Sequence, residues 1–138
     1  MRKRTLSREF ALQVLYRMDI TRDNPDSCLD NFWNLHGEQV LDDNVKVFAA
    51  LLVKGVADNL AEIDKKIASF ATNWQLNRMP VVDRNVLRLS CYELSFRDDI
   101  PPKVSINEAV DLAKKYSGPE AGKFVNAILD KIKEERNK

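Results

Sequence analysis

The chain is poor in the residues that build most chemical sites. Its 138 residues include two cysteines, one histidine, four glycines and five prolines. Cys28 and Cys91 stand far apart and His36 is alone, so the clustered thiolates or imidazoles of a protein-built zinc site are missing. Both cysteines read as small buried apolar residues in a reducing compartment, with a Cys–His nucleophile pair as the minor alternative. Gly37, Gly55, Gly118 and Gly122 form neither a P-loop nor a GxGxxG turn, so no phosphate cradle is visible. No apolar run approaches the roughly 20 residues needed to span a bilayer. The basic start is not followed by the apolar segment of a signal peptide. These absences predict a cytoplasmic protein with no metal, no cofactor and no enzymatic activity.

Hydrophobic residues make up 44% of the chain and charged residues 31%. A chain of this length forms one ordinary domain, here taken as residues 1–138, and buries roughly two-thirds of its unfolded surface. The formal charge is only +1, with 22 basic residues against 21 acidic. That total hides a segregation. Residues 1–18 carry five basic and one acidic residue, whereas residues 19–43 carry one basic and seven acidic.

Apolar residues recur at helical spacing throughout, which predicts an all-α fold of six to seven helices. In residues 3–20 the core stripe is Leu6, Phe10, Ala11, Val14, Leu15 and Met18. Asn24-Pro25-Asp26 breaks the chain, and a short helix with Leu29, Phe32 and Trp33 inward ends at Gly37. A long helical stretch runs from 42–44 to about residue 72, with Gly55 and Asn59 as points where it bends or splits. Residues 81–96 are apolar around most of the helix circumference, as befits the central helix of a bundle. Pro101-Pro102 stops helices, and Ser105-Ile106-Asn107-Glu108 matches a capping box that starts the next one. Gly118 is the candidate end of that helix and Pro119 the first residue of the last.

Several large side chains fall off these stripes. Arg8, Leu12 and Tyr16 form one ridge at i, i+4 and i+8, read either as covered by a neighbouring helix or as a partner-protein surface. Phe124 lies beside the last stripe with Glu120, Lys123 and Lys131 near it. It either closes the core edge or stacks a nucleic-acid base while lysines meet phosphates. Arg2, Lys3, Arg4 and Arg8 make the start either a solubilising end or a phosphate-binding one. Asp83, Arg84 and Arg88 read as a dipole complement with ion pairs.

Arg8-Glu9-Phe10-Ala11, Val82-Asp83-Arg84-Asn85, Ile100-Pro101-Pro102-Lys103, Ile106-Asn107-Glu108-Ala109, Leu112-Ala113-Lys114 and Lys123-Phe124-Val125-Asn126-Ala127-Ile128-Leu129-Asp130 together carry a resemblance to the NusB transcription antitermination family. It is weak over residues 21–41. It implies two packed three-helix bundles and binding of boxA single-stranded RNA in ribosomal RNA leader transcripts, jointly with NusE, a small-subunit ribosomal protein. Other Nus factors and RNA polymerase would be engaged indirectly. By matched position, Arg2, Lys3, Arg4, Arg8, Glu120, Lys123 and Phe124 face RNA, and Tyr16 and Asp83 face NusE. The start has fewer arginines than several relatives, and the Gly118-Pro119-Glu120 turn is unusual. Some relatives form homodimers that mask the RNA surface. The alternatives are a helical protein–protein scaffold and the RNA-binding domain of a ribosomal RNA cytosine methyltransferase, for whose catalytic part this chain is too short.

Overall fold

The computed structural model describes residues 2–36 and 42–136. Among them are seven α-helices and no strand: α1 (Lys3–Thr21), α2 (Pro25–His36), α3 (Asp43–Asp58), α4 (Leu60–Phe70), α5 (Val81–Phe96), α6 (Pro102–Ser117) and α7 (Pro119–Arg136), with a 3-10 turn at Leu76–Arg78. The chain divides into two compact units, Met1–Asp58 and Asn59–Lys138. The first holds α1 to α3. The second holds α5 to α7 together with α4.

Local chemistry accounts for the helix ends. Asn24 caps α2, its Oδ1 accepting the Ser27 backbone N–H at 2.9 Å, and Pro25 takes the first helical position, where its missing donor costs nothing. Asp42 caps α3 in the same way through the Asn44 N–H, at 2.9 Å. Gly37, expected to end α2, lies outside the described residues. The stretch expected from 42 to 72 is split at Asn59, whose φ of −121° and ψ of 20° leave the helical region.

In the first unit, Ala11, Val14 and Leu15 of α1, Cys28, Leu29 and Phe32 of α2 and Val45, Phe48, Ala49, Leu52 and Val53 of α3 are buried. The Ser7 hydroxyl donates to the Val45 carbonyl at 2.8 Å, fastening the start of α1 to the start of α3. In the second unit α5 packs on α4, α6 and α7 and is buried almost all round, polar residues included. Asn85 Nδ2 donates to the Val81 carbonyl at 2.8 Å. Arg88 clamps Asp64 of α4 with Nε to Oδ1 at 2.8 Å and Nη2 to Oδ2 at 3.0 Å, the bidentate geometry that makes a guanidinium pair strong.

One expected feature is overturned. Ser105 does not cap α6, which starts three residues earlier at Pro102, behind Pro101. Proline pre-sets the helical φ at the first position. The Ser105 hydroxyl is buried in the helix and shares a 3.0 Å hydrogen bond with the Ser90 hydroxyl of α5. Gly118 does end α6, at φ +100°, a conformation that glycine adopts without strain.

Candidate functional site

The basic start is an ordered helix rather than a frayed end. The Leu6 N–H already donates to the Arg2 carbonyl at 3.0 Å. Arg4 lies with its guanidinium carbon 4.3 Å from the Phe48 ring centroid, and Arg8 approaches the same ring at 5.7 Å. A guanidinium over an aromatic face is attracted by the ring quadrupole. The i, i+4 arginine pair, which repels on an isolated helix, is thus held on one ring. Lys3 Nζ sits 2.7 Å from Asp42 Oδ2. That ammonium, hydrogen-bonded to the carboxylate, holds the Asp42 carboxyl below its ordinary value, and the Asn44 N–H adds to the effect.

The ridge on α1 divides. Arg8 is 3% exposed and Leu12 is equally buried, so the covered reading holds for both. Tyr16 is 41% exposed. Arg2, Lys3 and Arg4 are exposed.

In the second unit, Glu120 and Lys123 lie on the first turns of α7, exposed and 3.5 Å apart. Phe124 is half-buried. Its ring meets Trp74 edge-on, with centroids 6.3 Å apart and planes at 74°. Gly122, beside Lys123, is closely overlaid by Lys114 of α6: a Cβ there would lie 2.8 Å from Lys114 Cγ. A side chain at 122 would therefore displace the lysine stem that covers this end of α7.

Asp83 stands in the first turn of α5, where a carboxylate complements the helix dipole. It is buried, and its Oδ1 finds no donor among the described residues. Of its two basic neighbours on α5, Arg88 makes the pair with Asp64 and Arg84 Nη1 reaches the Asn77 carbonyl at 3.5 Å. The structure thus places Arg2, Lys3, Arg4, Arg8 and Tyr16 in the first unit, and Asp83, Glu120, Lys123 and Phe124 in the second. Sequence reasoning missed Trp74. It sits in an irregular segment where no periodicity marks a side chain as off-core.

The thiols have no nucleophilic setting. Burial pushes the Cys91 thiol up to about 11, against a weak opposing contact to Ser95 Oγ at 3.9 Å, so it stays protonated at neutral pH. Cys28 is fully buried. His36 lies on the Phe32 ring at 4.6 Å. Among the described residues no group of three or more His, Cys, Asp or Glu could hold a metal, and no helix is long and apolar enough to cross a membrane.

Comparison with known proteins gives a consistent picture. The NusB family model matches residues 5–134. A transcription antitermination protein NusB of Anaeromyxobacter sp. (strain Fw109-5) is 47% identical over 130 residues, covering 94% of this chain and 89% of its own. Among solved structures, NusB of T. maritima superposes with a TM-score of 0.81 at 37% identity, covering 98% of this chain and 92% of its own. A chain of a crystal structure of the antitermination factors NusB and NusE in complex with dsRNA superposes with a TM-score of 0.88 at 32% identity, covering 98% of each.

Proposed function

Because the chain belongs to the NusB family, we propose that it is a transcription antitermination factor, acting in the cytoplasm by binding and not by catalysis. In this reading it binds the boxA sequence of ribosomal RNA leader transcripts together with NusE, and the pair engages further Nus factors and RNA polymerase. The observation that carries the RNA role is the ordered basic start. Arg4 is laid on Phe48 and Arg8 approaches the same ring, so the cations are positioned before RNA arrives and less conformational freedom is lost on binding.

Arg2, Lys3 and Arg4 meet phosphates, and buried Arg8 supports the same end of α1. Phe124 stacks a base while Lys123 adds a phosphate contact and Glu120 accepts hydrogen bonds from base or ribose donors. Exposed Tyr16 offers NusE an aromatic anchor, and Asp83 an acceptor whose Oδ1 finds no donor among the described residues.

The test is a titration of boxA and of a scrambled RNA, with and without NusE, over a salt series. Tighter boxA binding with NusE is expected, with a log–log salt slope of about −0.7 per phosphate contacted. Equal affinity for the two RNAs in the presence of NusE overturns the reading. Tyr16→Ala should weaken NusE binding while leaving the melting temperature in place. A large fall in melting temperature would instead assign Tyr16 to the core.

A further inference from the structure

Beside Phe124 the second unit carries an aromatic side chain that the proposed function leaves unused. Trp74 is 53% exposed, although tryptophan is on average a well-buried residue. It is not a loose side chain on a loose loop. The Trp74 N–H donates to the Ala71 carbonyl at 3.1 Å, the Arg78 N–H to the Gln75 carbonyl at 2.9 Å and the Met79 N–H to the Leu76 carbonyl at 3.2 Å. Arg84 of α5 reaches the Asn77 carbonyl at 3.5 Å, and Met79 is buried at the end of the segment. The indole is thus presented by a fastened turn, in T-shaped contact with Phe124.

Next to it runs a groove of about 550 Å³, within the roughly 300–1,000 Å³ range of small-molecule sites. Ala68 and Ala71 contribute apolar surface, Asn73 and Gln75 contribute amides, and Arg78 contributes the one charge; no carboxylate lines it. An apolar ligand would leave two amides and a guanidinium unmatched. An acidic peptide would leave the indole unused. A nucleotide uses all of them: a π-face for the base, paired donors and acceptors for its Watson–Crick edge, and a cation for its phosphate.

We propose that this groove holds one further nucleotide of the same single-stranded RNA, its base stacked on Trp74 and its phosphate met by Arg78. The inference rests on the RNA reading of Phe124 and Lys123. Because the Trp74 and Phe124 rings stand at 74° to each other, their two bases cannot stack in one continuous column. The RNA turns between them, which exposes the Watson–Crick edge of the second base to Asn73 and Gln75. The groove therefore extends the site by one position that reads base identity.

The experiment measures the affinity of wild type, Trp74→Ala, Trp74→Phe and Phe124→Ala, each with NusE, for a boxA oligonucleotide and for versions trimmed one nucleotide at a time from either end. Trp74→Ala should weaken binding of the full oligonucleotide roughly 5- to 150-fold, the cost of one lost base stack, and Trp74→Phe should recover most of it. The deficit should vanish on removing the one nucleotide that reaches the groove, whereas the Phe124→Ala deficit persists. Wild-type affinity in Trp74→Ala overturns the inference and leaves the RNA reading standing. A Trp74→Ala deficit that survives every trim also overturns it, since Trp74 then only supports Phe124. Failure of wild type to bind the RNA overturns both.

Discussion

The candidate RNA contacts of the two units use aromatic rings in opposite ways, although Phe10, Phe32 and Trp33 also pair with one another in the first unit and Lys115 lies over Tyr116 in the second. In the first, rings hold cations: Phe48 carries Arg4 at 4.3 Å and Arg8 at 5.7 Å, and Trp33 carries Lys46 at 5.6 Å. In the second, Trp74 and Phe124 hold each other in a T-shaped pair, and Lys123 is paired with exposed Glu120 at 3.5 Å. The first arrangement fixes charge and spends the ring doing so. The second leaves aromatic surface open. The proposed RNA contacts of the first unit are therefore electrostatic and weakened by salt, whereas those of the second add base stacking, which salt hardly touches, to the phosphate contacts of Lys123 and Arg78.

The comparison predicts different signatures for substitutions in the two units. Phe48→Ala should have the largest effect, because it empties a core position and removes the arginine platform together. A loss of roughly 3–5 kcal/mol of folding stability is expected in urea unfolding. Phe48→Leu isolates the platform: it should cost less than about 1.5 kcal/mol of stability while still lowering boxA affinity. Wild-type affinity in Phe48→Leu would show that the order of Arg4 is irrelevant to binding.

Phe124→Ala should cost ~1–3 kcal/mol of RNA affinity with the salt slope unchanged. Arg4→Ala should cost less at physiological salt and make the slope shallower by about 0.7, one phosphate contact. Fluorescence-anisotropy titrations at several salt concentrations measure both quantities. If both variants flatten the slope equally, the division between a charged and a stacking half is wrong.

How much of this was legible in the sequence depends on whether a side chain's own helix decides its fate. Residues 81–96 were readable to the residue because apolar side chains surround the helix and only a central position satisfies them. Pro119 was readable because proline has few other places in a helix. The start of α6 was not, because two local signals compete: the proline pair starts the helix first, and the Ser105 hydroxyl finds a better partner in Ser90. For Leu12 and Arg8 coverage by a neighbouring helix and a partner surface stay equally open in the sequence, since the period of one helix does not say what covers its second face; both are buried. Of the candidate site, Phe124 stands out in the sequence as a residue off its stripe and the basic start by its charge. Trp74 does not, because what makes it notable is a neighbour fifty residues away in sequence.

The smallest expected effect concerns the join between the basic start and the acidic stretch that follows it. Lys3 is proposed to face RNA, yet its ammonium lies 2.7 Å from Asp42 Oδ2, so phosphate and carboxylate compete for one cation. The Lys3 hydrogen bond lowers the Asp42 carboxyl below its ordinary value. A group lowered on folding contributes stability that is complete above its unfolded value and is lost as pH falls through the lowered one. The pair is therefore intact at neutral pH, and acid should release Lys3. Asp42→Asn should imitate that release at neutral pH while keeping an acceptor for the Asn44 N–H that caps α3. Its RNA affinity should rise slightly, and its salt slope should steepen by no more than about 0.7. An unchanged slope would mean that Lys3 serves the fold of the first unit and does not reach RNA.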